Sequence, residues 1–301
     1  MSDVLVVTGT GTEVGKTVVT AALAAAALAA DRSVAVLKPA QTGLPPGAPG
    51  DVHEVARLND GPGRGGRGPD GDGTTGNGTQ VNVAGVPGGS TPRGTGSAGD
   101  ESRAARLSVV ELARFPEPLA PATAARRAGM VPVSAAEVAE AAGKLAAEHD
   151  LVLVEGAGGL LVRLDDRGDT LADAARMLAA PVLTVVAAGL GTLNAAALTA
   201  EALRGRGVAA RGVVIGSWPA APDLAARCNL LDFPEVTGGP LLGAVPAGAA
   251  ALTPAVFRTH APGWLAPALH GTWDATAFTT REAPPETPRP ASHGPGRSHR
   301  G

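Results

Sequence analysis

Short aliphatic runs alternate along this chain with alanine-rich stretches of helical period. Val4–Val7, Val34–Leu37, Leu151–Val154, Pro181–Val186, Gly212–Ile215 and Leu241–Val245 read as strands buried on both faces. Between them, Val18–Ala30, Asp51–Leu58, Ala135–Glu148, Asp173–Leu178 and Thr192–Arg204 carry the helical pattern, and Ser134 is placed to cap the third of these. This alternation predicts an α/β fold, doubly wound, with a mostly parallel sheet and helices on both faces. Ligands in such folds sit at the C-terminal ends of the strands.

Two segments break the rhythm. Residues 60–104 are dominated by Gly, with Pro, Ser, Thr, Asn and Asp, and lack the apolar positions that offset ordering entropy. From about Ala283 the tail is rich in Pro, Arg, His and Gly. The expected organisation is one α/β domain over 1–250, interrupted by a disordered insertion at 60–104. A C-terminal extension follows over 251–282, then a disordered tail over 283–301.

Composition narrows the class. Tyr is absent and Phe and Trp are few, so the core must be built from Val, Leu and Ala. The formal net charge of −3 with no basic stripe argues against nucleic acid. Cys228 is the single cysteine, so no intramolecular disulfide can form, and a reduced, cytoplasmic setting is expected. Asp3 and the lack of an N-terminal basic patch argue against a signal peptide. The apolar run after Thr17 is too short to span a membrane.

The densest chemistry lies in Thr8-Gly9-Thr10-Gly11-Thr12-Glu13-Val14-Gly15-Lys16-Thr17, between the first strand and the first helix. Strand, glycine-rich turn and helix build a phosphate cradle of backbone N–H groups at a positive helix end. Lys16 is placed for the terminal phosphates and the Thr17 hydroxyl for magnesium. The fold is therefore expected to be of the P-loop NTPase kind. Five residues separate Gly9 from Gly15, one more than in the standard loop.

Further polar residues fall at strand ends. Lys38 follows the second strand and is placed to reach across the loop toward a γ-phosphate. Asp51 opens a short helix. Glu155 follows four aliphatic residues and begins Glu155-Gly156-Ala157-Gly158-Gly159. A carboxylate there is costly to bury without a cation. Thr17, Asp51 and Glu155, with phosphates and water, form a set of hard oxygen ligands suited to Mg2+. The six histidines show no metal-ligand spacing, and Asp165, Asp166 and Asp169 read as a solvent-facing turn.

The phosphate loop, then Lys38-Pro39-Ala40-Gln41-Thr42-Gly43, then Val154-Glu155-Gly156-Ala157-Gly158-Gly159 resemble the dethiobiotin synthetase family. That family shares the longer loop spacing. Glu117-Pro118-Leu119-Ala120-Pro121, Leu190-Gly191-Thr192-Leu193-Asn194 and Pro240-Leu241-Leu242-Gly243-Ala244-Val245-Pro246 resemble further family segments. The resemblance spans roughly residues 4–250 outside the glycine-rich insertion.

It implies an ATP-dependent cyclo-ligase that builds dethiobiotin from 7,8-diaminononanoate, CO2 and ATP, with Mg2+. By the resemblance, Lys16 and Lys38 are catalytic, and Lys38 lies between carbamate and γ-phosphate. Thr12, Glu13, Val14, Gly15, Lys16, Thr17, Asp51, Glu155, Gly156, Ala157, Gly158, Gly216, Ser217 and Pro246 fall on nucleotide-binding positions. Thr42, Leu190, Gly191 and Asn194 fall on substrate-binding positions. The turn at Leu190–Asn194 serves the substrate carboxylate across a subunit interface, so the resemblance also implies a homodimer. One departure stands out: many relatives carry an Asn-Asp pair that contacts adenine where this chain has Gly216-Ser217, and relaxed base selection is the expectation. The alternative functions are another ATP-dependent ligase of this fold, or a partitioning-type switch ATPase. The switch group has a second lysine early in its loop, where this chain has Gly9-Thr10-Gly11.

Overall fold

The computed structural model describes residues 3–59, 80–83 and 106–284. Among these described residues, eight strands form one parallel sheet: β1 (Asp3–Gly9), β2 (Val34–Thr42), β3 (Gln80–Val83), β4 (Leu107–Phe115), β5 (Leu151–Gly159), β6 (Val182–Val186), β7 (Ala210–Trp218) and β8 (Leu241–Pro246), in the order β3-β4-β2-β5-β1-β6-β7-β8. The helices are α1 (Lys16–Ala29), α2 (Asp51–Asn59), α3 (Pro121–Ala128), α4 (Ala135–Ala146), α5 (Leu171–Met177), α6 (Thr192–Gly205), α7 (Leu224–Thr237), α8 (Pro254–His260) and α9 (Ala275–Glu282). The parallel sheet covered on both faces agrees with the alternating pattern.

The strands supply both faces by simple alternation. On β1, Leu5 and Val7 enter one core and Val6 the other; on β5, Leu151 and Leu153 oppose Val152 and Val154. The first core packs against α1, α2, α7 and α8. The second packs against α4 and α5. Helix α1 is buried almost all round, from Val19 through Ala27. Its run of alanines lets it lie close to the sheet while C-terminal elements cover its other side. Each fully buried Val or Leu here contributes roughly 1.5–3 kcal/mol.

Residues after 250 join this core. Phe257, Ala261, Leu265, Leu269 and Trp273 are buried in the same cluster as β1 and α1. Phe278 of α9 packs edge-on against Trp218 and at a tilt against Trp273, with ring centroids 5.4 and 5.3 Å away.

Three differences from the sequence pattern have physical causes. β2 continues past Lys38-Pro39 to Thr42. Its pairing with β5 stops at Leu37, and Pro39 is skipped in the pairing with β4, so no ladder donor is needed from the proline. β4 lacks a clean alternation because Ser108, Glu111 and Arg114 are held by polar partners rather than by solvent. Asp165 is buried, against expectation, because its carboxylate accepts N–H groups of Arg167 and Asp169 within the turn. Most of the insertion expected at 60–104 lies outside the described residues, but Gln80–Val83 within it forms edge strand β3. The expected disordered tail lies outside them from residue 285.

Candidate active site

The central strands β1 and β5 deliver the site. β1 ends in the phosphate loop, which turns directly into α1. Gly15 caps that helix at φ +92°, where a side chain would be strained and its Cβ would lie 2.5 Å from the Gly216 carbonyl oxygen. Gly216 answers from β7: a Cβ there would sit 1.9 Å from the Val14 carbonyl oxygen. The loop is thus seated on β7 by two glycines packed backbone to backbone. Lys16 Nζ folds back to donate to the Gly11 carbonyl at 2.7 Å. Burial, and then the nearby Lys38 charge, lower the Lys16 pKa from its ordinary value.

Lys38 and Glu155 meet at the floor. Lys38 Nζ lies 2.9 Å from Glu155 Oε1, 2.5 Å from Asp51 Oδ2 and 3.1 Å from the Gly156 carbonyl. Burial alone would lower the Lys38 pKa, but the charges and hydrogen bonds of Glu155 and Asp51 outweigh it and hold the ammonium raised. Thr17 Oγ1 donates to Glu155 Oε1 at 2.9 Å. Glu155 Oε2 is buried with no hydrogen-bond partner.

Above this floor opens a cavity of about 560 Å³. Of the candidate residues, Thr12, Glu13, Gly15, Lys16, Thr17, Lys38, Thr42, Asp51, Ala157 and Gly158 line it. Gln41, Gly43, Leu44 and Pro118 also line it and were not singled out as site residues. The available signal for Gln41 was a polar side chain between Lys38 and Thr42 at a strand end. Its Oε1 accepts the Asp51 N–H at 2.8 Å.

The remaining candidates lie outside this cavity. Gly216 is buried beneath the loop, while Ser217 and Pro246 are exposed at the ends of β7 and β8. Leu190 is 92% exposed, and Gly191 and Asn194 are exposed at the start of α6.

The donor set fits a divalent cation. It offers one hydroxyl and two carboxylates, with an orphaned buried oxygen on Glu155. Among the described residues no group of three or more His, Cys, Asp or Glu side chains is arranged to hold a metal ion by itself, so a metal here would need phosphate oxygens to complete its shell, as magnesium commonly does.

A seated glycine-rich loop, a buried strand-end lysine and a strand-end glutamate define a phosphate-loop nucleotide enzyme. Residues 3–62 and 102–254 match a family described as AAA domain. The chain is 59% identical over 281 residues to the ATP-dependent dethiobiotin synthetase BioD of Streptomyces coelicolor, covering 93% of this chain and 99% of that protein. It is 58% identical to the Streptomyces avermitilis protein of the same name, covering 94% and 100%, and 60% identical to that of Saccharopolyspora erythraea, covering 90% and 99%. The chain belongs to the dethiobiotin synthetase family. This places the ligase reading above the switch-ATPase alternative.

Proposed function

We infer that this enzyme closes the ureido ring of dethiobiotin at the expense of ATP. The observation that carries the chemistry is Lys38, whose ammonium sits against Glu155 and Asp51 beneath the phosphate loop. One amine of 7,8-diaminononanoate captures CO2 and loses a proton, giving a carbamate. A carbamate oxygen attacks the γ-phosphorus, and the bond to ADP breaks. The second amine then attacks the carbamoyl carbon and gives up a proton, phosphate leaves, and the ring closes.

Phosphoryl transfer of this kind needs alignment and charge neutralisation more than covalent help. Backbone N–H groups from Thr12 through Thr17 and the Lys16 ammonium would hold the nucleotide phosphates. Lys38, kept protonated by its two carboxylates, would face the carbamate and γ-phosphate oxygens, both anionic. Thr42 offers its hydroxyl at the cavity wall to the amine or carbamate. Thr17, Asp51 and Glu155 would hold Mg2+, which when bound supplies further neutralisation of phosphate charge. Gly216, Ser217 and Pro246 would border the base without offering an amide side chain.

The turn at Leu190, Gly191 and Asn194 would serve a substrate carboxylate of a second subunit. Exposure of Leu190 and of Leu198 on α6 supports a homodimer, and sedimentation would reveal it. We place the enzyme in the cytoplasm. A lone cysteine supports this, and no described helix is long and apolar enough to cross a membrane.

The test mixes the protein with 7,8-diaminononanoate, bicarbonate, Mg2+ and ATP and detects dethiobiotin by mass spectrometry. Product that vanishes with Lys16→Ala or Lys38→Ala supports the reading. Substrate-independent ATP hydrolysis with no product overturns it.

A further inference from the structure

We propose that Glu111 and Arg114, which do not line the cavity, form a positioning pair that clamps the 43–50 loop and so holds Asp51 against Lys38. The proposal rests on the reading of Asp51 as a ligand at the nucleotide site.

The loop has the composition of a segment that cannot order itself. Gly43-Leu44-Pro45-Pro46-Gly47-Ala48-Pro49-Gly50 joins β2 to α2 without helix or strand. Its three prolines remove donors and its three glycines add conformational freedom. Asp51 follows immediately, and its side chain is 34% exposed. Nothing in that sequence keeps the carboxylate turned inward.

Arg114 supplies the missing order. Its Nη1 donates to the carbonyl of Ala48 at 2.6 Å and to that of Pro45 at 3.3 Å. Its Nε and Nη2 fork onto Glu111 Oε1 and Oε2 at 2.7 and 2.8 Å. Glu111 is fully buried and the Arg114 side chain is 10% exposed. Gly50 passes so close that a Cβ would lie 2.9 Å from Arg114 Nη2 and 2.6 Å from Gln41 Oε1. Gln41 and Arg114 are register partners on adjacent strands, and Gln41 accepts the Asp51 N–H. The start of α2 is therefore gripped through Gln41 from β2 and through Arg114 from β4.

A buried Arg–Glu pair is a poor way to gain stability, since desolvation offsets its attraction. What the planar fork provides is direction: two donors for Glu111 and two for loop carbonyls, fixed in one plane. Lysine keeps the charge but cannot make both sets.

The experiment titrates Mn2+ into the full-length protein with saturating ADP and follows free Mn2+ by electron paramagnetic resonance. Arg114→Lys and Glu111→Gln are compared with Asp51→Asn, and the ligand-free melting curve of each is recorded. Loss of a group that orients a metal ligand typically weakens affinity about 10–100-fold, so both clamp variants are expected to weaken Mn2+ about tenfold while still melting cooperatively. Their kcat should fall with little change in the KM for the diamine. If Asp51→Asn weakens Mn2+ and both clamp variants bind it as the unaltered protein does, the clamp is wrong and the site reading stands. If Asp51→Asn itself leaves Mn2+ binding unchanged, both fall. If Arg114→Lys fails to fold, Glu111→Gln alone decides, by the same criterion.

Discussion

Lys38 and Glu155 stand one residue beyond the last paired positions of neighbouring strands, Leu37 and Val154, and meet end to end at 2.9 Å. Both are almost fully buried, at 3% and 1% exposure. Removing one member leaves a buried charge without its partner, which costs roughly 3–5 kcal/mol. Lys38→Met is expected to destabilise by about that amount and to lower kcat at least ~100-fold. Lys38→Met with Glu155→Gln should recover part of the stability and none of the activity. Denaturant melts of the three proteins check this, and equal midpoints for the single variant and the unaltered protein would refute it.

Base selection is expected to be loose. Gly216 offers no amide, and the Val14 carbonyl leaves no room for one. CTP and GTP should compete with ATP at comparable concentrations. Gly216→Asn should weaken all three nucleotides together by displacing the phosphate loop, rather than create a preference for adenine. A competition series decides it, and strong ATP preference in the unaltered enzyme sinks the idea.

Acid should loosen the C-terminal segment. His270 Nε2 lies 2.7 Å from Arg32 Nη1. Because arginine can only donate, the imidazole must accept and stay neutral. Burial, then the Arg32 charge, depress its pKa, while Asp3 acts the other way and Arg211 adds to the depression. The unfolded chain therefore binds the proton more readily. This contribution is present above the ordinary histidine pKa of about 6.5 and is lost as pH falls below it. His270 has φ +65°, a conformation Asn tolerates well. His270→Asn should flatten the fall in melting temperature between neutral pH and pH 5, and an unchanged slope would count against the link.

Ser134 caps α4 reciprocally with Glu137: its Oγ accepts the Glu137 N–H, and Glu137 Oε2 accepts the Ser134 N–H at 2.8 Å. The Ser134 N–H, and then the Ser134 hydroxyl donating to Glu137 Oε2 at 2.7 Å, hold the Glu137 pKa below its ordinary value. Ser134→Ala is expected to cost about 1 kcal/mol without altering kcat. Thermal melts and steady-state rates at neutral pH check both halves.

Much of the site could be read in the chain because its parts are local. A phosphate loop needs its strand, its glycines and its helix to be contiguous, and Thr12 through Thr17 are. Glu155 was visible for the same reason, as a charge at the end of an aliphatic run. The roles of Glu111 and Arg114 were not visible, and Gln41 showed only as a polar strand-end residue, because their partners are reached only through strand pairing and a loop without periodicity. β4 was hidden likewise: its polar residues become strand residues once Ser108 is hydrogen-bonded with His149 and Arg114 donates to the loop carbonyls.

Periodicity and contiguous motifs were enough to establish a parallel α/β layer, the phosphate cradle and the family, since each depends on residues close along the chain. Strand order belongs to the folded molecule. Placing β2 between β4 and β5 is what puts Lys38 against Glu155 and Gln41 beside Arg114. The packing of residues after 250 beneath α1 is equally a matter of the fold. Apolar side chains such as Phe257 and Leu265 are compatible with many partners, and only the surface left open by the alanine helix selects among them.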